Sequence, residues 1–96
     1  MTTSVRLRVV ETRPITPTLV ECVVKCLVGA ARVGQHLQLS ENSLPGTDFE
    51  VLEIRYFDRL ISELETNFGG QLLLKAANEN EIPSAGDDLI GLETER

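Results

Sequence analysis

The six residues Gly29-Ala30-Ala31-Arg32-Val33-Gly34 separate two segments that have the pattern of β-strands. The segment before them, 19–28, is rich in β-branched residues, which suit a pleated strand better than a helix. The segment after them, 35–39, alternates polar and apolar residues. Glycines are favoured where the backbone takes a positive φ or bends sharply. The stretch therefore predicts a corner between two strands of a small β-barrel, and it carries no chemistry of its own.

Turn residues separate several further segments with strand patterns. The predicted strand segments are 5–11, 19–28, 35–39, 49–57, 71–77 and a last short strand that follows a turn within 82–90. Within 49–57 the apolar positions change face at Val51-Leu52, which predicts a β-bulge, and Pro45-Gly46 predicts a type II turn. Short strands of this kind between turn residues predict an all-β fold, a small six-stranded antiparallel β-barrel.

Residues 58–68 have a different pattern. Their apolar residues, with the one before them, recur at the spacing of an amphipathic helix: Phe57, Leu60, Ile61, Leu64 and Phe68. Strand alternation is weaker there because Glu63 and Glu65 interrupt one face. The apolar period therefore favours one short helix near 57–67, and a longer hairpin inserted in the barrel is the alternative.

The two cysteines, Cys22 and Cys26, lie in one predicted strand whose inward face also carries Val20, Val24 and Val28. Four residues of strand separate the cysteines by about 13 Å, whereas a disulfide needs Cα atoms within about 7 Å. We expect free cysteines that pack as small apolar residues in a reduced, cytoplasmic protein. With no other cysteine and one histidine, we predict no metal site and no cofactor.

The chain has 96 residues and a net charge of −6, which disfavours generic binding to nucleic acid. Two close arginine pairs, Arg6 with Arg8 and Arg55 with Arg59, could still form local basic patches. Neither a signal peptide nor an apolar segment of about 18 residues is present, so we expect no membrane association. We predict one domain over 1–96, with a core at about 5–91 and a charged tail at 92–96.

Glycines and apolar strands follow one another in a characteristic order along the chain. The signals are, in sequence order, a Val-rich strand at 20–28, Gly29, Val33-Gly34, an alternating strand at 37–39, an aromatic and basic stretch at 53–61, Gly69-Gly70 opening 71–74, Ile82, and Gly86 before 87–89. This order resembles the second, β-barrel domain of translational GTPases such as elongation factor Tu. The resemblance covers about 5–91.

The resemblance implies a six-stranded barrel that is a non-catalytic module, packs against a GTPase domain and contacts the ribosome or the acceptor end of tRNA. Two features depart from the family. Residues 57–70 are longer than the family pattern, and no G-x-x-x-x-G-K-[ST] loop occurs, so GTP hydrolysis is not implied. Arg55, Tyr56 and Arg59 combine positive charge with an aromatic face and are the candidate contact residues.

Three functions remain open at this point. The first is a protein-interaction module with an unidentified protein partner, because a small barrel without catalytic residues suits binding. The second is a translation-related accessory that binds tRNA or the ribosome. The third is a small enzyme that uses His36 or a cysteine, which we do not favour because His36 has no nucleophile beside it in sequence. The sequence leaves the oligomeric state open.

Overall fold

The structure is a computed structural model that describes residues 2–40, 48–79 and 82–93. Within these ranges the chain forms eight β-strands and no helix. In chain order the strands are β1 (Thr2–Pro14), β2 (Leu19–Arg32), β3 (His36–Leu39), β4 (Asp48–Tyr56), β5 (Arg59–Ile61), β6 (Glu63–Glu65), β7 (Gly69–Ala76) and β8 (Asp88–Glu93).

Six of these strands close into a barrel. Neighbouring strands run in the order β1, β8, β3, β4, β7 and β2, and β2 pairs again with β1 to complete the ring. Every pair in the ring is antiparallel. The predicted six-stranded antiparallel β-barrel is therefore confirmed. The short strands β5 and β6 lie outside the ring, where β5 pairs with β4 and β6 pairs with β2.

The inner faces of the strands fill the barrel with apolar side chains. The buried residues are Val5, Leu7, Val9, Val20, Cys22, Val24, Cys26, Ala31, Leu37, Phe49, Val51, Ile54, Leu64, Leu72, Leu74, Ala76 and Leu89. No polar or charged side chain of the described residues is buried among them. These described side chains fill the interior of the barrel, as is usual for small barrels.

The corner between β2 and β3 has the backbone that its glycines predict. Gly29 has a φ of 73° and Gly34 a φ of 89°. The predicted inward face of β2 is correct as far as Cys26 but wrong at Val28, which is half exposed. The reason is a register shift against β1, where Leu7 pairs with Cys26 and the preceding residue pairs with Val28. The extra residue in β2 turns the following side chains to the other face.

The bulge predicted in β4 is also present. The β4–β7 register shifts between Val51 and Glu53, so Leu52 is the additional residue. The turn predicted at Pro45-Gly46 lies outside the described residues. At the end of the chain, β8 extends to Glu93, so Leu92 and Glu93 belong to the last strand rather than to a charged tail. Their backbones pair with the first residues of β1.

The predicted helix near 57–67 is wrong. Residues 59–65, which we call the strap, form β5 and β6 and cross from the edge of β4 to the edge of β2. Leu64 is buried, whereas Leu60 and Phe57 are 63% and 83% exposed, so the residues at helical spacing do not share one face. Pairing with the free edges of two strands satisfies the backbone of the strap and overrides the helical period.

Candidate functional site

The tip of the β4–β5 hairpin has an unusual composition. Tyr56 and Arg59 pair across the two strands, which leaves Phe57 and Asp58 as a two-residue turn. Both turn residues have positive φ angles, 47° and 64°, the region used by type I′ hairpin turns. Asn and Gly normally occupy such positions because a bulky side chain there is strained. Phe57 is strained and 83% exposed, a combination found more often at contact sites than in structural turns.

Three of the four aromatic residues of the chain lie together beside this turn. The rings of Tyr56 and Phe57 are 4.5 Å apart at 75°, and those of Tyr56 and Phe68 are 5.9 Å apart at 81°. We call these three residues the aromatic cluster. The fourth aromatic residue, Phe49, is buried in the barrel. Edge-to-face contacts of this kind stabilise ring pairs, and Phe57 and Phe68 of this cluster are exposed.

The predicted contact residues lie on two faces of the hairpin. Tyr56 is directly opposite Arg59, so these two side chains share a face. Arg55 is opposite Leu60 on β5 and opposite Gln71 on β7, on the outer face of the sheet. The structure thus brings Tyr56 and Arg59 together and places Arg55 on the reverse side.

A cleft of about 420 Å³ opens on the outer face next to the turn. We call it the glycine cleft, and its lining residues are Val10, Val23, Val24, Lys25, Arg55, Phe57, Asp58, Gly69, Gly70 and Gln71. The β4–β7 pairing ends at Arg55 opposite Gln71, and β7 starts two residues earlier, at Gly69. The two glycines lie where these strands part.

A second depression, of about 260 Å³, lies between the aromatic cluster and the strap. It is lined by Tyr56, Ile61, Ser62, Glu63, Leu64, Glu65 and Phe68. Leu64 is buried beneath it, and its side chain would lie 3.2 Å from a Cβ atom added at Gly70. Leu64 therefore anchors the strap in the core just below the glycine cleft.

Close ion pairs hold Arg6, Arg8, Arg13 and Arg32. Asp88 accepts hydrogen bonds from Arg6 Nη1 and Arg8 Nε, each at 2.6 Å, so the predicted Arg6/Arg8 patch is partly neutralised. Arg13 pairs with Glu21 at 2.7 Å, and Arg32 pairs with Glu63 at 2.6 Å.

The cations around the hairpin are less well paired. The Arg55 guanidinium lies 4.0 Å from the Glu53 carboxylate. For Lys25 and Arg59, no carboxylate within the described part of the chain lies at ion-pair distance. These three side chains therefore keep charge available for a partner.

The candidate nucleophiles and base lie elsewhere. Burial raises the pKa of the Cys22 thiol to about 11 and raises that of Cys26 as well, which disfavours the reactive thiolate. Both cysteines are free, as predicted. The exposed His36 ring contacts Asp48 Oδ2 at 2.6 Å, and this hydrogen bond raises the pKa of His36. The described residues contain no cluster of three or more potential metal ligands, and no described helix is long and apolar enough to cross a membrane.

Comparison with known proteins supports the fold. No family model and no curated protein sequence matches the chain. Among solved structures, translation elongation factor SelB from Methanococcus maripaludis matches 97% of this chain with a TM-score of 0.77 and 18% identity, both in the apo form and with a GTP analogue. GDP-bound aIF5B from Aeropyrum pernix matches 91% of it with a TM-score of 0.71 and 17% identity. The chain has the fold of a translation-factor β-barrel domain.

This match confirms, at the level of fold, the resemblance to the barrel of translational GTPases. This chain spans only 20% of the length of the SelB structures and 14% of that of the aIF5B structure. The sequence did not reveal the exposure of Phe57 or the grouping of Lys25 and Gly69 near it. The dipeptide Phe57-Asp58 lacks the Asn-Gly or Asp-Gly signal of a tight hairpin, so no local pattern indicated the turn.

Proposed function

We propose that the translation-factor barrel of this chain, about 5–91, is a non-catalytic binding module that docks a protein partner through the hairpin tip. Phe57 carries this proposal. Phe57 is 83% exposed and has a positive φ, and placing a bulky aromatic residue in that backbone conformation lowers stability. Nothing in the described fold requires phenylalanine at this position. Exposed aromatic residues are favoured at protein interfaces because they bury a large area with little loss of side-chain entropy.

The surroundings of Phe57 fit this role. The Tyr56 ring contacts the Phe57 ring edge to face, and the Phe68 ring in turn contacts Tyr56. Leu60, opposite Arg55 on the other face of the hairpin, is also exposed. Cations and Asp58 lie at the margin of this surface. An apolar centre with a polar rim is the usual arrangement of a protein interface.

The test compares two substitutions of exposed apolar residues. The tagged chain is crosslinked in lysate, and the captured proteins are identified and quantified by mass spectrometry. In Phe57→Asn the new residue tolerates the positive φ, so the fold is kept while the contact is lost. The matched control is Ile15→Asn, which changes a residue that is 51% exposed at the other end of the barrel, next to the start of β2.

We expect specific partners to be captured by the unmodified chain and by Ile15→Asn, and to be lost with Phe57→Asn. An identical set of captured proteins for all three chains would contradict docking through the hairpin tip.

A second candidate function is a translation-related accessory that contacts tRNA or the ribosome. It is favoured by the fold of the barrel and by the cations Lys25 and Arg59, which have no ion-pair partner among the described residues and lie near the exposed hairpin tip. Filter binding of aminoacyl-tRNA across a salt series tests it, with Arg59→Gln as the variant. Phosphate contacts are strongest at low salt, so affinity should be highest there and weaker in the variant. No binding at low salt would exclude a direct tRNA contact.

A further inference from the structure

We propose that the glycine cleft binds an acidic peptide segment, with a carboxylate held between Lys25 and Arg55 and an adjacent apolar side chain against Phe57. This inference rests on the proposed function, because it names the chemistry of the docked partner. Three independent features of the cleft support it: a glycine that the described fold does not require, a strained aromatic wall, and cations without a close carboxylate among residues 2–40, 48–79 and 82–93.

Gly69 is the first feature. Its φ is not in the left-handed region, and a Cβ atom added there would meet only Val24 O, at an ordinary contact distance of 3.4 Å. Gly70 differs, since its added Cβ would lie 3.0 Å from Arg55 O and 3.2 Å from Leu64 Cδ1. Packing therefore explains why residue 70 is glycine, but it does not explain why residue 69 is. Gly69 is exposed on the outer face beside Gln71, where a side chain would occupy the cleft.

Phe57 forms one wall of the cleft and is the second feature. Its positive φ directs a large apolar side chain into solvent beside Lys25 and Arg55, where an Asn or Gly would relieve the strain. Val10 and Val23 extend this apolar lining, and Val10 is itself half exposed. An apolar side chain of a bound segment would pack against these residues.

Charge is the third feature. Lys25 and Arg55 line the cleft with one acid, Asp58, so the lining carries a net charge of +1 on a chain of −6. Arg55 has only a 4.0 Å contact to Glu53 and can form closer bonds with a bound carboxylate. A single carboxylate suits this small positive site. A run of phosphates is disfavoured because Asp58 and the overall negative charge repel it.

The volume of the cleft agrees with this occupant. About 420 Å³ lies within the roughly 300–1,000 Å³ range of sites that hold small ligands, which is enough for a short run of side chains. The cleft is an open groove between parting strands and therefore suits an extended segment better than a compact ligand.

The experiment titrates the isotope-labelled full chain with the capped peptide acetyl-Leu-Asp-Glu-Leu-amide and follows backbone amide chemical shifts by NMR. The matched control peptide is acetyl-Leu-Asn-Gln-Leu-amide, which has the same shape without charge. We expect shifts at Lys25, Phe57 and 69–71, and an affinity about tenfold weaker for the neutral peptide. No shift at these amides up to about 5 mM acidic peptide, or equal affinity for both peptides, would overturn the proposal.

Two variants locate the site. Gly69→Val fills the floor of the cleft and should abolish the shifts, and a melting curve verifies that it folds. Lys25→Gln removes one cation without adding volume and should weaken binding of the acidic peptide alone. Unchanged affinity in both folded variants would place the peptide elsewhere and overturn the proposal. A 5′-phosphorylated tetrauridine that shifts the same amides more strongly than the peptide would overturn it as well, in favour of nucleic acid.

The outcome separates this inference from the proposed function. Capture of partners that depends on Phe57, together with no peptide binding in the cleft, would leave the binding module standing and remove the acidic segment. Peptide binding in the cleft without any Phe57-dependent capture would support the acidic segment and contradict docking of a protein partner through the hairpin tip.

Discussion

The two sides of the barrel differ in how closely their charged groups are paired and in backbone strain. On the β1–β8 side, Asp88 is 12% exposed and joins Arg6 and Arg8 in a compact ionic cluster. On the hairpin side, cations have distant partners or none in the described chain, and two successive residues, Phe57 and Asp58, have positive φ. The first arrangement holds its charged groups in close ion pairs within the fold. The second retains charge, strain and exposed aromatic area, which contribute little to stability and are available to a partner.

The hairpin side keeps its shape because the core holds the strap, and Leu64→Ala should remove the buried contact that holds it. Leu64 is buried and Leu60, in the same segment, is 63% exposed. Truncating a buried leucine costs about 2–4 kcal/mol, so Leu64→Ala should lower the free energy of unfolding by that amount. Leu60→Ala should change it by less than about 0.5 kcal/mol. Urea denaturation measures both, and equal effects would show that Leu64 is not an anchor.

The two glycines of the cleft should respond in opposite ways. At Gly70 a methyl group meets backbone and a buried side chain, so Gly70→Ala should destabilise the chain by about 1–3 kcal/mol. Gly69→Ala should leave the free energy of unfolding unchanged or raise it by up to about 1 kcal/mol. Alanine loses less conformational entropy than glycine when the strand folds. Thermal unfolding of the pair provides the measurement. Destabilisation by Gly69→Ala would mean that the fold requires this glycine after all.

Because of the ionic cluster, the free energy of unfolding should decrease at acidic pH. The hydrogen bond from Arg8, followed by that from Arg6, lowers the pKa of Asp88 below its usual value. A carboxylate with a lowered pKa stabilises the fold above the pKa of the unfolded state, and this contribution disappears as the pH falls through the lowered value.

Asp88→Asn tests this dependence. At neutral pH it should cost about 1 kcal/mol, since the arginines are half exposed and water screens the pairs. The difference between Asp88→Asn and the unmodified chain should vanish at acidic pH. Glu21→Gln, which opens a more exposed pair with Arg13, is the control and should have a smaller effect. A difference that persists unchanged at low pH would contradict a role for the Asp88 charge.

The smallest expected effect concerns strain at the hairpin tip. Phe57→Asn and Phe57→Ala both remove the ring contact with Tyr56, but only asparagine tolerates the positive φ. Phe57→Asn should therefore be more stable than Phe57→Ala by about 0.5–1 kcal/mol. Chemical denaturation of the two variants side by side measures the difference. Equal stabilities would show that the positive φ at residue 57 does not strain the hairpin tip.

Much of the barrel could be predicted from local patterns. Alternation located the main strands, Val51-Leu52 located the bulge, and the pair at Cys22 and Cys26 predicted two free buried thiols. Each of these predictions depends on which side chains face inward along one strand, and a period of two residues reports that directly. The candidate site was predicted only in part, because Tyr56 and Arg59 are adjacent whereas Arg55 lies on the other face of the hairpin.

Other features depend on contacts between distant parts of the chain. The strap has a helical apolar period, yet its backbone pairs with the edges of β4 and β2, and the β2 edge, where Ala30 is opposite Glu65 and Arg32 is opposite Glu63, is far away in sequence. The pairing of Asp88 with Arg6 and Arg8 likewise joins residues about 80 positions apart. Periodicity reports how a segment divides its own faces between core and solvent. Which edges need a partner, and which side chains meet across the barrel, is determined only when the ring closes.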